Sequence, residues 1–469
     1  MAKMTQQLVK IDEEYVETYS ESKNEPSWLK KFRIDSLKSY LTLPEEQSNL
    51  YTKYALNLNV NLPVLEQKLY AKTDPKSASL AEIAQGIEKG YYYVSTQSET
   101  FASKNIKELD AKGVVFCDLH EAIEKHSDLL GRIFKQKAIP PNSDKYAALN
   151  SALFSSGWFV YFPKGLVLDT PLRVRFYLSS IKPYFSQTWI YAEQGSQGAL
   201  LTEGYGAEIA GTASELVEAY VKDDASVKYS NIQNYSEDTV VLANKKALCG
   251  KDGRITWILG YFGGRAERSR LESSFDGDGA SAEDIEVVFG SGYQRYDLVS
   301  DLSHVAQHTK GRILCNSVLK DSSRSVFKGM IRIGKDAKAS NAYLAGHAIL
   351  LSPDAKSDAI PGLEILTNEV KATHSASVSQ IDPDQIFYMM TRGLPEDESK
   401  KFIVLGFIEP GISRIDSEEL RDTIHALIEA KWHGMKGLIK KVQKEVLFEE
   451  EAQAKAQSKD IFEGHYKYR

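Results

Sequence analysis

The chain has 469 residues, of which 42% are hydrophobic and 26% charged, with a formal net charge of −6. This apolar content supports a substantial core, and the mildly acidic balance excludes the bulk basicity that holds nucleic acid or an anionic membrane. Met1–Glu14 has scattered charges and no apolar centre, unlike a secretory signal. No apolar run approaches the roughly 20 residues that span a bilayer. The three cysteines, Cys117, Cys249 and Cys315, lie far apart with no C-x-x-C pair. That spacing excludes a disulfide framework and a cysteine-only cluster or zinc site, and a cytoplasmic, reducing location is the expectation.

From Ile11 to Leu43 the pattern is helical, with Trp28, Leu29, Phe32, Leu37, Tyr40 and Leu41 on one face and Pro26-Ser27 as a start signal. Helical patterning continues to about Lys137, and Ile139-Pro140-Pro141-Asn142 breaks it. From about Ser151 to Ser379 short β-rich runs follow one another. They are Trp158–Phe162, Leu172–Leu178, Trp189–Ala192, Leu216–Val221, Lys228–Ile232, Thr239–Ala243, Ile255–Leu259 and Ile285–Phe289. No amphipathic helix separates them, which argues against a parallel sheet with helical crossovers. A sandwich, a barrel or a β-solenoid remains. Strands arriving at short intervals over so long a region favour the solenoid, although no strict repeat is visible.

From Asp382 the chain turns helical again. Asp382-Pro383-Asp384-Gln385 combines an N-cap acid, a proline at the first helical position and a glutamine placed for a capping box. A helix with Ile386, Phe387 and Met390 stops near Gly393. Leu394-Pro395-Glu396 starts another, whose expected buried face is Phe402, Ile403, Leu405 and Phe407. Asp416 and Glu419 cap a third, apolar at Leu420, Ile424, Leu427, Ile428, Trp432, Met435, Leu438, Ile439 and Val442. The tail Gln443–Arg469 is charged. The expected organisation is a helical or mixed region over 1–140, a β core over 141–380 and a helical domain over 381–469.

Catalytic motifs are missing. G-x-x-x-x-G-K-[ST], H-E-x-x-H and G-x-S-x-G do not occur. Gly204-Tyr205-Gly206 and Gly260–Gly264 sit among strands with no following helix and read as turns. His304 and His308, four apart in strand or loop, read as structural or surface residues. His347 precedes the buried-strand run Ala348–Leu351. His374 shares a strand face with Val370, Ala372, Ala376 and Val378, where a histidine is either a hydrogen-bonded core residue or a ligand.

Several segments, in chain order, carry a resemblance. Lys371-Ala372-Thr373-His374-Ser375-Ala376-Ser377-Val378 followed by Gln385-Ile386-Phe387-Tyr388 and Thr391-Arg392-Gly393 resembles the C-terminal signature of the SufB/SufD family of iron–sulfur cluster assembly scaffolds. Lys145–Ser151 with Tyr161–Gly165 is similar to a further family segment, and Asn24-Glu25-Pro26-Ser27-Trp28 and Asn231–Ser236 resemble family segments in their more SufB-like form. Val326-Phe327-Lys328-Gly329 and Pro361-Gly362-Leu363-Glu364-Ile365 resemble SufD patterns. The family's sulfur-accepting SufB cysteine would fall near Gly346 or His347, where no cysteine stands. Thr373 and Ser375 replace the glutamates that flank the SufB histidine. The resemblance therefore leans towards SufD.

It implies a mainly β fold, a right-handed parallel β-helix core between N-terminal and C-terminal helical regions. It further implies a non-enzymatic scaffold whose partner, a SufC-type ABC ATPase, docks within about Gln385–Trp432 and supplies ATP hydrolysis. A SufB-type subunit, or a second copy of the chain, would join through the β-helix. No nucleic acid or membrane partner is expected. His374 is the implied metal ligand, completing a mixed-ligand transient iron–sulfur cluster shared with a partner's cysteine, with none permanently bound. Fewer thiolates from this chain would ease release. Cys315, among apolar neighbours, reads as a buried thiol. Two other readings are a homodimeric SufB-like scaffold, which the scarcity of cysteine opposes, and a β-helix polysaccharide-active enzyme. The second needs carboxylates lined up on one face, and alternation sends neighbours among Glu283, Asp284 and Glu286 to opposite faces.

Overall fold

A computed structural model describes residues 11–45, 53–56, 58, 68, 87, 90–97, 99–415 and 418–434. The chain divides into two compact units, the larger ending at Gln380 and the smaller beginning at Ile381. In the larger unit α1 (Glu13–Ser22) and α2 (Ser27–Thr42) come first. Asp12 caps α1 by accepting the Tyr15 N–H at 2.9 Å, and α2 starts at the expected Pro26-Ser27 signal. Leu29, Leu37 and Tyr40 are buried, whereas Trp28 and Leu41 are substantially exposed.

Strands β1 (Tyr91–Ser95), β2 (Thr100–Ala102) and β3 (Val115–Asp118) interrupt the helical patterning expected up to Lys137. Tyr91-Tyr92-Tyr93-Val94 and Val115-Phe116-Cys117 are aromatic and β-branched runs that suit a pleated surface better than a helix. Helices α3 (Leu119–Lys125), α4 (Ser127–Lys135) and α5 (Lys145–Leu153) follow. Asp144 caps α5, accepting the N–H groups of Tyr146 and Ala147 at 2.8 and 2.9 Å.

The β core begins with β4 (Ser156–Phe162), β5 (Leu172–Leu178), β6 (Tyr184–Ala192), β7 (Gln197–Gly206) and β8 (Thr212–Val221). It continues with β9 (Ser226–Asn234), β10 (Val240–Cys249), β11 (Arg254–Tyr261), β12 (Ala266–Phe275) and β13 (Ser281–Gly290). The last strands are β14 (Arg295–His304), β15 (Lys310–Leu319), β16 (Arg324–Ile333), β17 (Asn341–Leu350), β18 (Lys356–Ile365) and β19 (Lys371–Gln380). Odd-numbered strands from β5 to β19 form one sheet with β1 and β2, and even-numbered strands from β4 form the other with β3. The chain alternates between the two walls, so each pair of strands adds one rung. The result is a mainly β fold, a parallel β-solenoid of about eight turns with helices before and after it in the chain.

Register explains why no strict repeat is visible in the sequence. Arg254, Ser281, Lys310, Asn341 and Lys371 are successive partners, about 30 residues apart but unevenly so, and no single residue type runs down the column. What repeats is burial. Trp257, Ile313 and Leu344 occupy one inward column and Leu271, Ser273 and Phe275 face them from the other wall. Most strands are also longer than the apolar runs that announced them: Leu216–Val221 extends back to Thr212, and Thr239–Ala243 extends on to Cys249. Rung pairing uses backbone groups alone, so Glu215, Asn244 and Lys245 sit within strands without ending them. Gly204 and Gly260, read as turn residues, are likewise inside strands. Gly204 is needed because a Cβ there would lie 2.6 Å from the Tyr235 ring.

The helices cover the outside of the even-strand sheet. Phe154, Phe159, Trp189, Tyr220 and Leu242 pack with Leu29, Leu37, Leu130 and Ile133. Arg33 pins α2 to α5, donating to Glu25 at 2.7 Å and to the Ala152 carbonyl at 3.2 Å while stacking on Phe154 at 3.9 Å.

In the smaller unit α6 (Pro383–Met390) begins at Asp382, which accepts the Asp384 N–H at 2.9 Å, and Pro383 takes the first position. Helices α7 (Glu396–Ile412) and α8 (Glu418–Trp432) follow. The buried stripe of α7 is Val404, Ile408 and Ile412, whereas Phe402 is 52% exposed. Its apolar residues surround so much of the helix that spacing alone did not choose the face. In α8 Leu420, Ile424, Leu427, Ile428 and Trp432 are buried as expected. The expected cap by Asp416 and the Glu419 side chain, the positions Met435, Leu438, Ile439 and Val442, and the tail from Gln443 lie outside the described residues.

One solenoid corner is a column of left-handed residues. Asp224, Asp252, Gly279, His308 and Ala339 have φ of 58°, 53°, 73°, 57° and 57°, and each N–H bonds to a carbonyl of the next rung. A Cβ on Gly279 would lie 2.1 Å from Asp252 Oδ1. Gly279→Ala is expected to destabilise by about 1–3 kcal/mol, and Ala339→Gly to stabilise by a few tenths to about 1 kcal/mol, in chemical denaturation.

Candidate functional site

His374 sits in the middle of β19, on the side of that strand facing the solenoid interior, directly above Leu344 in register. Leu344 is fully buried, as is Ile313 one rung further in. His374 is exposed because β19 is the terminal strand of its sheet and no further rung covers it. The sequence therefore placed it on the correct face of the strand, but at the one rung where an inward side chain is accessible. Among the described residues no group of three or more His, Cys, Asp or Glu side chains converges to hold a metal ion, so His374 stands as a single donor.

The other sequence candidates are not brought to it. His347 on β17 lies on the opposite face of the same sheet and meets Ser377 Oγ at 2.7 Å. Gly346 faces inward, between Cys315 below and Ala376 above. Cys315 is fully buried, and burial drives its thiol well above the ordinary range, with Glu286 adding to the effect. Cys117 and Cys249 are buried and raised in the same direction. None of the three offers a thiolate at the surface. His304 ends β14, buried against Phe275 with Nδ1 2.7 Å from Thr309 Oγ1, and burial lowers its pKa to about 4. His308 is one of the left-handed corner residues.

A second arrangement lies inside the solenoid and was not singled out in the sequence. Asp284 and Glu286 are two apart on β13 and both point inward, whereas Glu283 points out. Glu267, on the facing wall, is fully buried with Gln233 donating to it at 3.1 Å, and burial pushes its pKa up to about 8. Glu286 is held by Tyr261 at 3.1 Å and by Ser300, and neither Asp284 oxygen has a hydrogen-bond partner among the described residues. Buried carboxyls of this kind avoid the penalty of burying charge by keeping their protons. They are interior groups, not the surface line of acids that a polysaccharide-cleaving solenoid requires.

Two surfaces stand out. On the smaller unit Phe387, Tyr388 and Met390 of α6 are 68%, 58% and 44% exposed, and Phe402 of α7 in the same unit is exposed as well. On the solenoid, β18 and β19 are the end strands of their sheets, with Ile365, Leu366 and Val378 exposed. At the other end β2 and β3 pair antiparallel onto the first strands. No helix of the described residues is long and apolar enough to cross a membrane.

A parallel solenoid flanked in sequence by helices, with a lone histidine at its last rung, defines a class of protein that the comparisons make specific. Residues 176–407 match the model described as "SUF system FeS cluster assembly, SufBD core domain", and residues 9–174 match the SufBD protein N-terminal region. The iron–sulfur cluster assembly protein SufD of Bacillus subtilis is 30% identical over 90% of this chain and 98% of its own length. An iron–sulfur cluster assembly SufBD family protein of Staphylococcus saprophyticus is 30% identical over 87% of this chain and 90% of its own length. One from Staphylococcus aureus is 29% identical over the same shares. The chain belongs to the SufBD family of iron–sulfur cluster assembly proteins.

Glu267 gives a pH test of the interior. Its folded pKa of about 8 lies above its ordinary value of 4.5. The folded state therefore holds a proton that the unfolded state releases, and stability falls as pH rises from 4.5 to 8. Glu267→Gln removes this loss. The variant should exceed the parent in stability at pH 8, by on the order of 2–4 kcal/mol, with the gap closing at pH 4.5. Urea denaturation at the two pH values measures it.

Proposed function

We propose that this chain is a SufD-like scaffold subunit that offers His374 to a nascent iron–sulfur cluster at a joint with a cysteine-bearing SufB-type subunit. The cluster is cargo, shared during assembly and then released. The observation that carries the reading is the exposure of His374 on the inward side of the last rung, next to a free sheet edge. Neutral imidazole is a competent iron ligand, and without an accessible thiolate in the described chain the sulfur ligands come from the partner. The end strands supply the means of joining. Unpaired N–H and C=O groups with exposed Ile365, Leu366 and Val378 beside them are a template for strand pairing with another chain.

The SufC-type ATPase is assigned to the smaller unit. Phe387, Tyr388, Met390 and Phe402 are four large apolar side chains left exposed on this unit, and apolar exposure of this kind marks protein contacts. An ATPase contact within Gln385–Trp432 is the expectation from the sequence resemblance, and it is supported by three of the four residues lying on the helix that carries the family signature.

Co-expression with a SufB-type and a SufC-type protein separates these roles. His374→Ala should leave the complex intact and cut cluster content several-fold. Unchanged cluster content contradicts the ligand role. Phe387→Glu should abolish co-purification of the ATPase while the SufB-type subunit stays bound. Val378→Lys should do the reverse, and a chain that pairs only with itself would favour the homodimeric reading.

A further inference from the structure

A groove on the outer face of the odd-strand sheet, on the opposite side of that sheet from His374, has no role in cluster assembly as described. It opens over the first residues of β11, β13, β15 and β17 and encloses about 570 Å³. Arg254, Lys310 and Arg312 line it, three cations on a chain whose net charge is −6. Ser281 and Asn341 alternate with Arg254 and Lys310 in one column, in the order Arg254, Ser281, Lys310, Asn341. Arg312 lies in the next column between Glu283 and Tyr343, with its guanidinium 3.8 Å from the Glu283 carboxylate and 5.8 Å from the Tyr343 ring centre.

We propose that this groove is a binding site for a small organic anion carrying two phosphoryl groups. The cations form two centres. Lys310 and Arg312 are two residues apart on β15, about 7 Å along the strand, while Arg254 is two rungs away, roughly 10 Å. Long side chains from positions so spaced converge over one small volume. Arg312 offers a planar fork of donors for phosphate, Lys310 a point charge, and the hydroxyl and amide of Ser281 and Asn341 neutral donors between them. The size is that of a small-molecule site. A peptide is disfavoured because β11, β13, β15 and β17 are each paired on both sides and offer no backbone edge. Among the described residues Glu283 is the one acid lining the groove, and it opposes an anion while pairing with Arg312.

Inorganic pyrophosphate is the probe, titrated calorimetrically into the full-length chain at low salt, with inorganic phosphate and an oligo-aspartate peptide alongside. Pyrophosphate should bind more tightly than phosphate, and added salt should weaken it. The paired substitutions Lys310→Ala and Arg312→Ala should each lower its affinity roughly tenfold or more, with the melting temperature unchanged. Glu283→Gln should raise the affinity several-fold, an effect that damage to the fold would not produce. Absence of binding at millimolar pyrophosphate, an affinity unchanged from the parent in the Lys310 and Arg312 variants, or tighter binding of oligo-aspartate than of pyrophosphate each overturns the proposal.

Discussion

In-register parallel pairing between successive rungs is the constraint on which the rest of this molecule depends. Each strand from β5 to β17 is bonded to the strand one rung before and one rung after it in the same wall, so every inward side chain is stacked between two others. Trp257, Asp284, Ile313, Leu344 and His374 are one such stack, read from inside outwards. The first four are buried by their neighbours, and the fifth is accessible only because the stack ends there. Accessibility of the candidate ligand is therefore a consequence of topology, not of a specialised loop.

The same constraint explains what the interior tolerates. A stack fixes position so strongly that polar groups can be carried inside it when they are hydrogen-bonded or kept neutral. Glu267 and Glu286 are satisfied by Gln233, Tyr261 and Ser300 from neighbouring strands. Asp284 has no such partner among the described residues, and burial raises its pKa well above the ordinary value, which favours its neutral form. These groups lie on the lumen side yet well inside the last rung, and the contrast with His374 is one of depth.

Much of this was legible in the residues. The change of texture near Ser151 and again at Asp382, the alternation around His374 and the Asp382-Pro383 helix start are local signals, and each corresponds to a local feature of the structure. Four matters were not legible, for physical reasons. Rung boundaries were hidden because pairing is made by backbone atoms and places no fixed residue type at a column. Strands β1 to β3 were hidden within helical patterning because runs of three to five residues carry too little periodicity. The packed side of α7 was misjudged because Phe402 and Val404 are equally apolar in sequence, and only the neighbouring helix distinguishes them. The groove around Arg312 was invisible for the same kind of reason: Arg254 is 56 and 58 residues from Lys310 and Arg312, and only the winding brings them together.

The account turns on whether the His374 imidazole touches the cluster during assembly. The direct measurement is pulsed electron–nuclear resonance on the reduced, paramagnetic cluster, in a complex where only this chain carries isotopically labelled histidine. A nitrogen coupling from the labelled imidazole, lost in His374→Ala, is the predicted result. A cluster of normal yield with no coupling to any histidine of this chain would contradict the account.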